Sequence, residues 1–153
     1  MKKQPQIEWN EELKTATCII EVDGKIYYGT ATCHPNDYDM CSQKTGIEIA
    51  MKRASIQAYR HYRDCLKERL AALNQFYYSI NMSKYYNPKS YENKMLQRQI
   101  NLIKTDLDIT KEIIIELKRG LKTYIDEKDI FYKKIRANRH IDGVKNVIAD
   151  KKD

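Results

Sequence analysis

The chain has little glycine and proline, five and three among 153 residues, so few long irregular stretches are expected. It lacks any run of about 18 apolar residues, and no transmembrane helix is therefore predicted. The basic residues 1–3 are not followed by an apolar segment, which argues against a secretory signal and favours a cytoplasmic protein. In that compartment the four cysteines are expected to be reduced thiols.

The common catalytic signatures are missing as well. The sequence contains no Walker A loop, dinucleotide-binding glycine pattern, nucleophile elbow or HExxH motif. We therefore expect a protein that is not an enzyme and that needs no cofactor.

Charge is abundant and unevenly placed, with a net charge of +7. Residues 1–45 carry five Lys/Arg and seven Asp/Glu, a net charge of −2. Residues 46–153 carry twenty-three and fourteen, a net charge of +9. The second part of the chain therefore favours an anionic partner, although long runs of lysine and arginine also solvate exposed helix faces.

The first part of the chain reads as an antiparallel hairpin. Segments rich in Thr, Ile, Val and Tyr flank Asp23-Gly24, a strong signal for a two-residue turn. This turn places Val22 opposite Lys25 and Cys18 opposite Gly29. A third strand is expected over residues 6–9, because a hairpin alone is marginal in water.

The rest of the chain reads as two long helices. Apolar residues recur every three or four positions from Ile47 to Ile80 and again from Leu96 to Ile125. The first helix is predicted to start near Thr45 or Gly46. The second is predicted to start after the N-cap Ser90 and to continue to about Asn138.

These elements predict a single α+β domain, in which a small antiparallel sheet packs on a long antiparallel two-helix hairpin. Residues 1–45 form the sheet part with a polar loop, residues 46–138 the hairpin, and residues 139–153 the helix end and tail. Two helices leave much apolar surface uncovered, so a homo-oligomer, at least a dimer, is expected.

The polar loop between sheet and hairpin concentrates reactive side chains. Zinc requires about four N/S ligands, usually in pairs such as CxxC, and no such pair occurs, so no metal is expected. Cys33 and His34 could form a nucleophile pair, but neighbouring strand residues point to opposite faces. Local hydrogen bonds that hold the loop and cap the helix are the structural alternative.

A third use of this loop is ligand capture without chemistry. The first helix begins beside it, and helix N-termini attract phosphate through free N–H groups and the helix dipole. Arginines and twelve tyrosines supply the forked phosphate contacts and stacking surfaces that nucleotides require.

Around the polar loop the sequence shows the pattern Tyr28-Gly29-Thr30-Ala31, Cys33-His34-Pro35, Asp37, Asp39, Ser42, Gly46, Ile49-Ala50 and Arg53-Ala54, and a helical hairpin follows it. With this pattern the sequence resembles a family of small phage proteins, the first type of Thoeris anti-defence sponge proteins.

Proteins of that family bind cyclic ADP-ribose isomers made by bacterial TIR-domain enzymes and sequester them without cleavage. The resemblance implies a sheet with two long helices, symmetric oligomers such as dimers or hexamers, and pockets between sheet and helices at the subunit interface. It also implies separate pockets for cyclic oligonucleotides, and a location in the cytoplasm of an infected bacterial host.

Under this interpretation the loop forms the main wall of the pocket, with these candidate residues: Ala31, Thr32, Cys33, His34, Asp37, Asp39 and Ser42. Four further candidates are chosen on chemistry alone. Phe76 is a candidate base-stacking ring, and the second helix offers Asn93, Arg98 and Arg119 as polar contacts.

Two other interpretations stay open. The basic helices could bind nucleic acid or act as a phage structural protein, although nucleic acid is not the expected partner and no membrane contact is predicted. Alternatively, Cys33 and His34 could belong to an enzyme.

Overall fold

The structure, a computed structural model, describes residues 3–34, 37, 41–83 and 87–150, and the last twelve of these as helical backbone only. Its elements are β1 (Gln6–Asn10), β2 (Thr15–Val22), β3 (Lys25–Thr32), α1 (Gln43–Asn81) and α2 (Tyr91–Asp150). The predicted α+β architecture, a three-stranded antiparallel sheet followed by two packed long helices, is confirmed.

The sheet has the order β1-β2-β3, with both pairings antiparallel. The predicted register is confirmed, since Val22 pairs with Lys25 and Cys18 with Gly29. Asp23 and Gly24 both have positive φ, +52° and +77°, as the two-residue hairpin turn requires. The third strand expected near residues 6–9 is β1.

One face of the sheet packs closely on α1 through small side chains. The buried cluster consists of Ala16, Cys18, Ala31, Ala50 and Ala54. A Cβ at Gly29 would overlap backbone atoms of Ala50 and Ala54, so glycine lets β3 lie directly against the helix backbone. This close approach sets the position of the β3 end relative to the start of α1.

The helix bounds differ from the prediction at two points. Helix α1 begins at Gln43, one turn before Gly46, because the Ser42 hydroxyl caps it by accepting a hydrogen bond from the Thr45 N–H at 3.3 Å. Ser90 caps α2 as predicted, through a bond from the Asn93 N–H at 3.2 Å. Helix α2 then continues past Asn138 to Asp150.

The two helices form an antiparallel pair. At one end the Gln97 amide donates to the Tyr77 hydroxyl at 2.7 Å, and between the ends Leu66 packs with Ile103 and Leu107. The predicted apolar stripe of α2 is buried from Leu96 to Ile114 and half-buried beyond. Since α2 is the longer helix, it passes the start of α1 and reaches the polar loop.

None of the described helices combines the length and the apolar character needed to cross a membrane.

Candidate ligand-binding site

The polar loop borders a cavity of about 210 Å³, here called the loop pocket, where β3 ends and α1 begins. The structure places six of the predicted site residues around this cavity: Ala31, Thr32, Cys33, His34, Asp37 and Ser42. Asp39, the remaining loop candidate, lies outside the described residues.

Backbone bonds position the lining. The Cys33 N–H donates to the Lys14 carbonyl at 3.0 Å, and the Asp37 N–H donates to the His34 carbonyl at 2.8 Å. The first turn of α1 also faces the cavity through Thr45 and Gly46. A helix N-terminus carries a partial positive charge, so this end of the pocket favours an anionic group.

Two lining cysteines are joined covalently. Cys33 and Cys41 form a disulfide across eight positions of sequence, with their Cα atoms 6.3 Å apart. The expectation of four reduced thiols is therefore wrong for this pair, because the loop folds back and brings the two sulfurs together. Cys18 and Cys65 are free, and burial raises the pKa of the Cys18 thiol.

Asp37 has an unused acceptor. Its side chain is only 22 % exposed, and Nη1 of Arg136 lies 3.4 Å from its Oδ1 atom. This contact is an ion pair by distance, yet the buried Oδ1 accepts no hydrogen bond from the described residues. A buried carboxylate oxygen without a hydrogen bond is costly, and a ligand that donates to it would remove that cost.

Several side chains that line the pocket were not predicted from the sequence. They include Trp9 from β1, and Asp129 and Tyr132 from α2. The positions of Asp129 and Tyr132 could have been found from the sequence. When the apolar stripe of α2 is continued past Ile125 in steps of four and then three residues, it reaches these two positions. No sequence pattern pointed to Trp9, because its position beside the cavity depends on how β1 packs.

Glu11 holds two lining side chains in place from outside the cavity. Its Oε2 accepts a hydrogen bond from the Trp9 indole N–H at 2.5 Å, and its other oxygen pairs with the Lys14 ammonium. The Lys14 bond first, and then the Trp9 bond, lowers the pKa of Glu11 below its ordinary value. Glu11 is therefore ionised at neutral pH and can orient both.

Two of the candidates chosen on chemistry lie far from the loop pocket. Phe76 is 58 % exposed near the end of α1, about 50 Å along the helix from its start. Arg98 is exposed one residue after Gln97, which bonds to Tyr77 at that same end of the hairpin. Within one chain neither residue reaches the loop.

The other two candidates also stand apart from it. Asn93 is 2 % exposed in the first turn of α2, and its amide forms no hydrogen bond with the described residues. Arg119 is exposed and bonds to Glu116 on its own helix at 2.5 Å. The pocket thus contains the candidates from the loop and none of those from the helices.

The described part of the chain contains no group of three or more His, Cys, Asp or Glu side chains that could hold a metal ion.

No family model, curated protein or solved structure matches the chain. The family expected from the loop motif therefore stays a prediction.

Proposed function

We propose that the protein binds a cyclic nucleotide signal in the loop pocket and sequesters it without cleavage. The observation that carries this proposal is the buried Oδ1 of Asp37, which lies near the N-terminus of α1. It is 3.4 Å from Nη1 of Arg136 and accepts no hydrogen bond from the described residues. A nucleotide has a group for each of these features. Its ribose hydroxyls can donate hydrogen bonds to the carboxylate oxygen, and its phosphates can accept them from the N–H groups of the helix N-terminus.

The aromatic lining supports the same ligand class. Trp9 and Tyr132 border the cavity from different elements, β1 and α2, and aromatic faces stack on bases regardless of sequence. Lys14 also lines the cavity, and its ammonium pairs with Glu11. These groups suit a ligand with a base, sugars and a pyrophosphate, such as the cyclic ADP-ribose isomers made by TIR-domain enzymes.

The pocket of one chain is too small for a whole ligand of this kind. Its volume of about 210 Å³ is below the range of roughly 300–1,000 Å³ typical of small-molecule sites. We propose that a second copy completes the site in a homodimer or a hexamer. Exposed apolar residues on α2, such as Leu102 at 59 % and Ile109 at 53 %, favour such an assembly.

Capture without turnover agrees with the chemistry of the loop. The sulfur of Cys33 is bonded to Cys41, and in this form it offers no thiolate for attack. In a bacterial cell infected by a phage, such a protein would act as an anti-defence sponge that keeps the signal from its effector. Cyclic oligonucleotides are a second ligand class under the same proposal.

Calorimetric titration with cyclic ADP-ribose isomers tests the proposal. We expect tight binding, with the ligand recovered chemically intact after the protein is denatured. Degraded ligand would favour an enzyme, and no binding of any isomer would refute the sponge. Affinity for duplex DNA that falls steeply with salt would instead favour the nucleic-acid interpretation.

Asp37→Asn tests the role of the carboxylate. The change keeps the size of the side chain but removes its charge, so we expect at least a tenfold loss of affinity for the cyclic ligand. Asp108→Asn, on an exposed position of α2, is the matched control and should bind like the parent. Equal affinities of the two variants would remove Asp37 from the site.

Light scattering coupled to size-exclusion chromatography tests the assembly. A dimer or a hexamer is expected at micromolar concentration. A monomer that nevertheless binds one ligand per chain would contradict the shared pocket.

A further inference from the structure

A second cavity lies between β3 and α2, and we call it the cationic groove. It exists because β3 is an outer strand of the sheet and α2 packs on α1 alone. Within the described ranges, no Cα of α2 comes within 8 Å of a Cα of β3. The groove has a volume of about 630 Å³ and shares no lining residue with the loop pocket.

The groove concentrates positive charge. Arg53 and Arg60 project from α1, and Lys118 and Lys122 from α2, whereas Asp126 is the single acidic residue among its described lining. These five side chains sum to a charge of +3. None of the four cations lies within 4.0 Å of a carboxylate among the residues described. Clustered charges without counter-ions create a potential that attracts anions.

The edge of β3 adds backbone groups to the groove. The Arg53 guanidinium donates through Nη1 to the Thr30 carbonyl at 2.7 Å, so this carbonyl points away from β2. In an antiparallel strand, the N–H and C=O of one residue point the same way. The Thr30 N–H is therefore a donor directed toward the groove, next to a guanidinium that is already held in position.

Apolar surface lies beside these charges. Ile56, Leu121 and Ile125 border the groove. Tyr28 at the open edge of β3 also lines it and is 51 % exposed, with its side chain on the sheet face opposite to that of Gly29. A base that extends past the edge of β3 can stack on this ring. The volume falls within the range of small-molecule sites, and the two turns of α1 from Arg53 to Arg60 span about 10 Å, which suits an extended phosphate chain.

We propose that the cationic groove binds a linear nucleotide, with its oligophosphate chain among the four cations and its base against Tyr28. This site is separate from the loop pocket, and it does not rest on the function proposed there.

Isothermal titration with inorganic pyrophosphate and with adenosine diphosphate tests the phosphate site. One ion of either probe should bind per chain, and Lys118→Met with Lys122→Met should weaken both by at least tenfold. The control is Lys94→Met with Lys104→Met, which removes the same charge from exposed positions of α2 outside the groove. We expect it to weaken binding less than threefold.

Equal losses of affinity in the two double variants would show that bulk charge alone attracts the probes, and this result would overturn the site. A parent protein that binds neither probe would also overturn it. Should the lysine variant unfold, Arg60→Gln supplies an independent test at an exposed position. It should weaken both probes, and an unchanged affinity in a folded Arg60→Gln protein would also overturn the site.

Tyr28→Ala separates a nucleotide from a simple anion. It should weaken adenosine diphosphate severalfold and leave pyrophosphate unchanged, because only the nucleotide has a base to stack. If both probes weaken alike, or neither does, the nucleotide assignment is overturned.

Asp37→Asn shows whether the two sites are separate. It should bind adenosine diphosphate like the parent, whatever its effect on cyclic ligands. A parallel loss of both ligand types would overturn the separation of the groove from the loop pocket.

Discussion

The two ends of the helical hairpin are built on different principles. At the sheet end, small residues such as Ala16, Gly29 and Ala54 bring a strand and a helix into backbone contact. Farther toward the turn, between the two ends, large side chains such as Leu66, Ile103 and Leu107 separate the two helices. The sheet end also holds the loop pocket and the cationic groove, and residues of β3, α1 and α2 border both cavities.

This difference explains why the loop pocket and the cationic groove both lie at the sheet end. Two paired helices meet along a stripe of aliphatic side chains and offer open faces elsewhere. A strand laid against a helix leaves gaps beside and beyond its edge. The longer α2 borders these gaps, and its described Cα atoms stay more than 8 Å from those of β3. Substitutions in the two regions test this contrast.

Gly29→Val is expected to destabilise the protein by more than about 4 kcal/mol, because its Cβ overlaps helix backbone that cannot rotate away. Urea denaturation measures the effect. The control is Gly120→Ala, where a Cβ meets nothing within 4 Å and should stabilise the helix by about 0.5–1 kcal/mol. A mild effect at Gly29 would refute the backbone contact at the sheet end.

Leu107→Ala probes the packing nearer the turn end. Removing this buried side chain should cost about 3 kcal/mol in the free energy of unfolding, since a cavity remains. Leu102→Ala, at a side chain that is 59 % exposed, should cost less than about 0.5 kcal/mol. Equal costs at the two leucines would mean that another surface covers Leu102, as the proposed oligomer predicts.

Ser42→Ala removes the N-cap of α1 at the sheet end and should cost about 1 kcal/mol. Ser79→Ala lies near the other end of the same helix, where the hydroxyl only bonds back to the Gln75 carbonyl. It should be neutral or slightly stabilising. Thermal unfolding of the two variants compares them, and a neutral Ser42→Ala would show that the cap contributes no stability.

The fluorescence of Trp9, the only tryptophan, should respond to acid through Glu11. The pKa of Glu11 is lowered in the folded state, so its bonds stabilise the protein above the unfolded pKa. That contribution is lost as the pH falls through the folded pKa. The fluorescence transition should therefore lie below the ordinary glutamate range, and Glu11→Gln should abolish it. Persistence of the transition in that variant would exclude Glu11 as its cause.

Local patterns predicted the elements of the fold well. Asp23-Gly24 and the alternating residues around it specify the hairpin and its register, and the α2 stripe was identified down to Thr110, a polar residue that is buried at 3 % exposure. The start of α1 was placed too late, because Thr45 and Ser42 are both acceptable caps by residue type. Only the fold of the loop decides between them.

The candidate site was predicted in part. The loop residues share one short segment, so their proximity follows from sequence. The helix candidates Phe76 and Arg98 were chosen for residue type without knowledge of how the helices pair, and the pairing places them at the turn end.

By itself, the sequence determined the turn, the strand alternation and the helical stripes, since each depends on residues within a few positions of one another. Tertiary contacts bring distant residues together, such as Asp37 and Arg136, and place Arg53 in the same groove as Lys118 and Lys122. The physical reason is that the antiparallel register of α1 and α2, set by side-chain packing along their whole contact, carries residues from distant parts of the chain to the same end of the sheet.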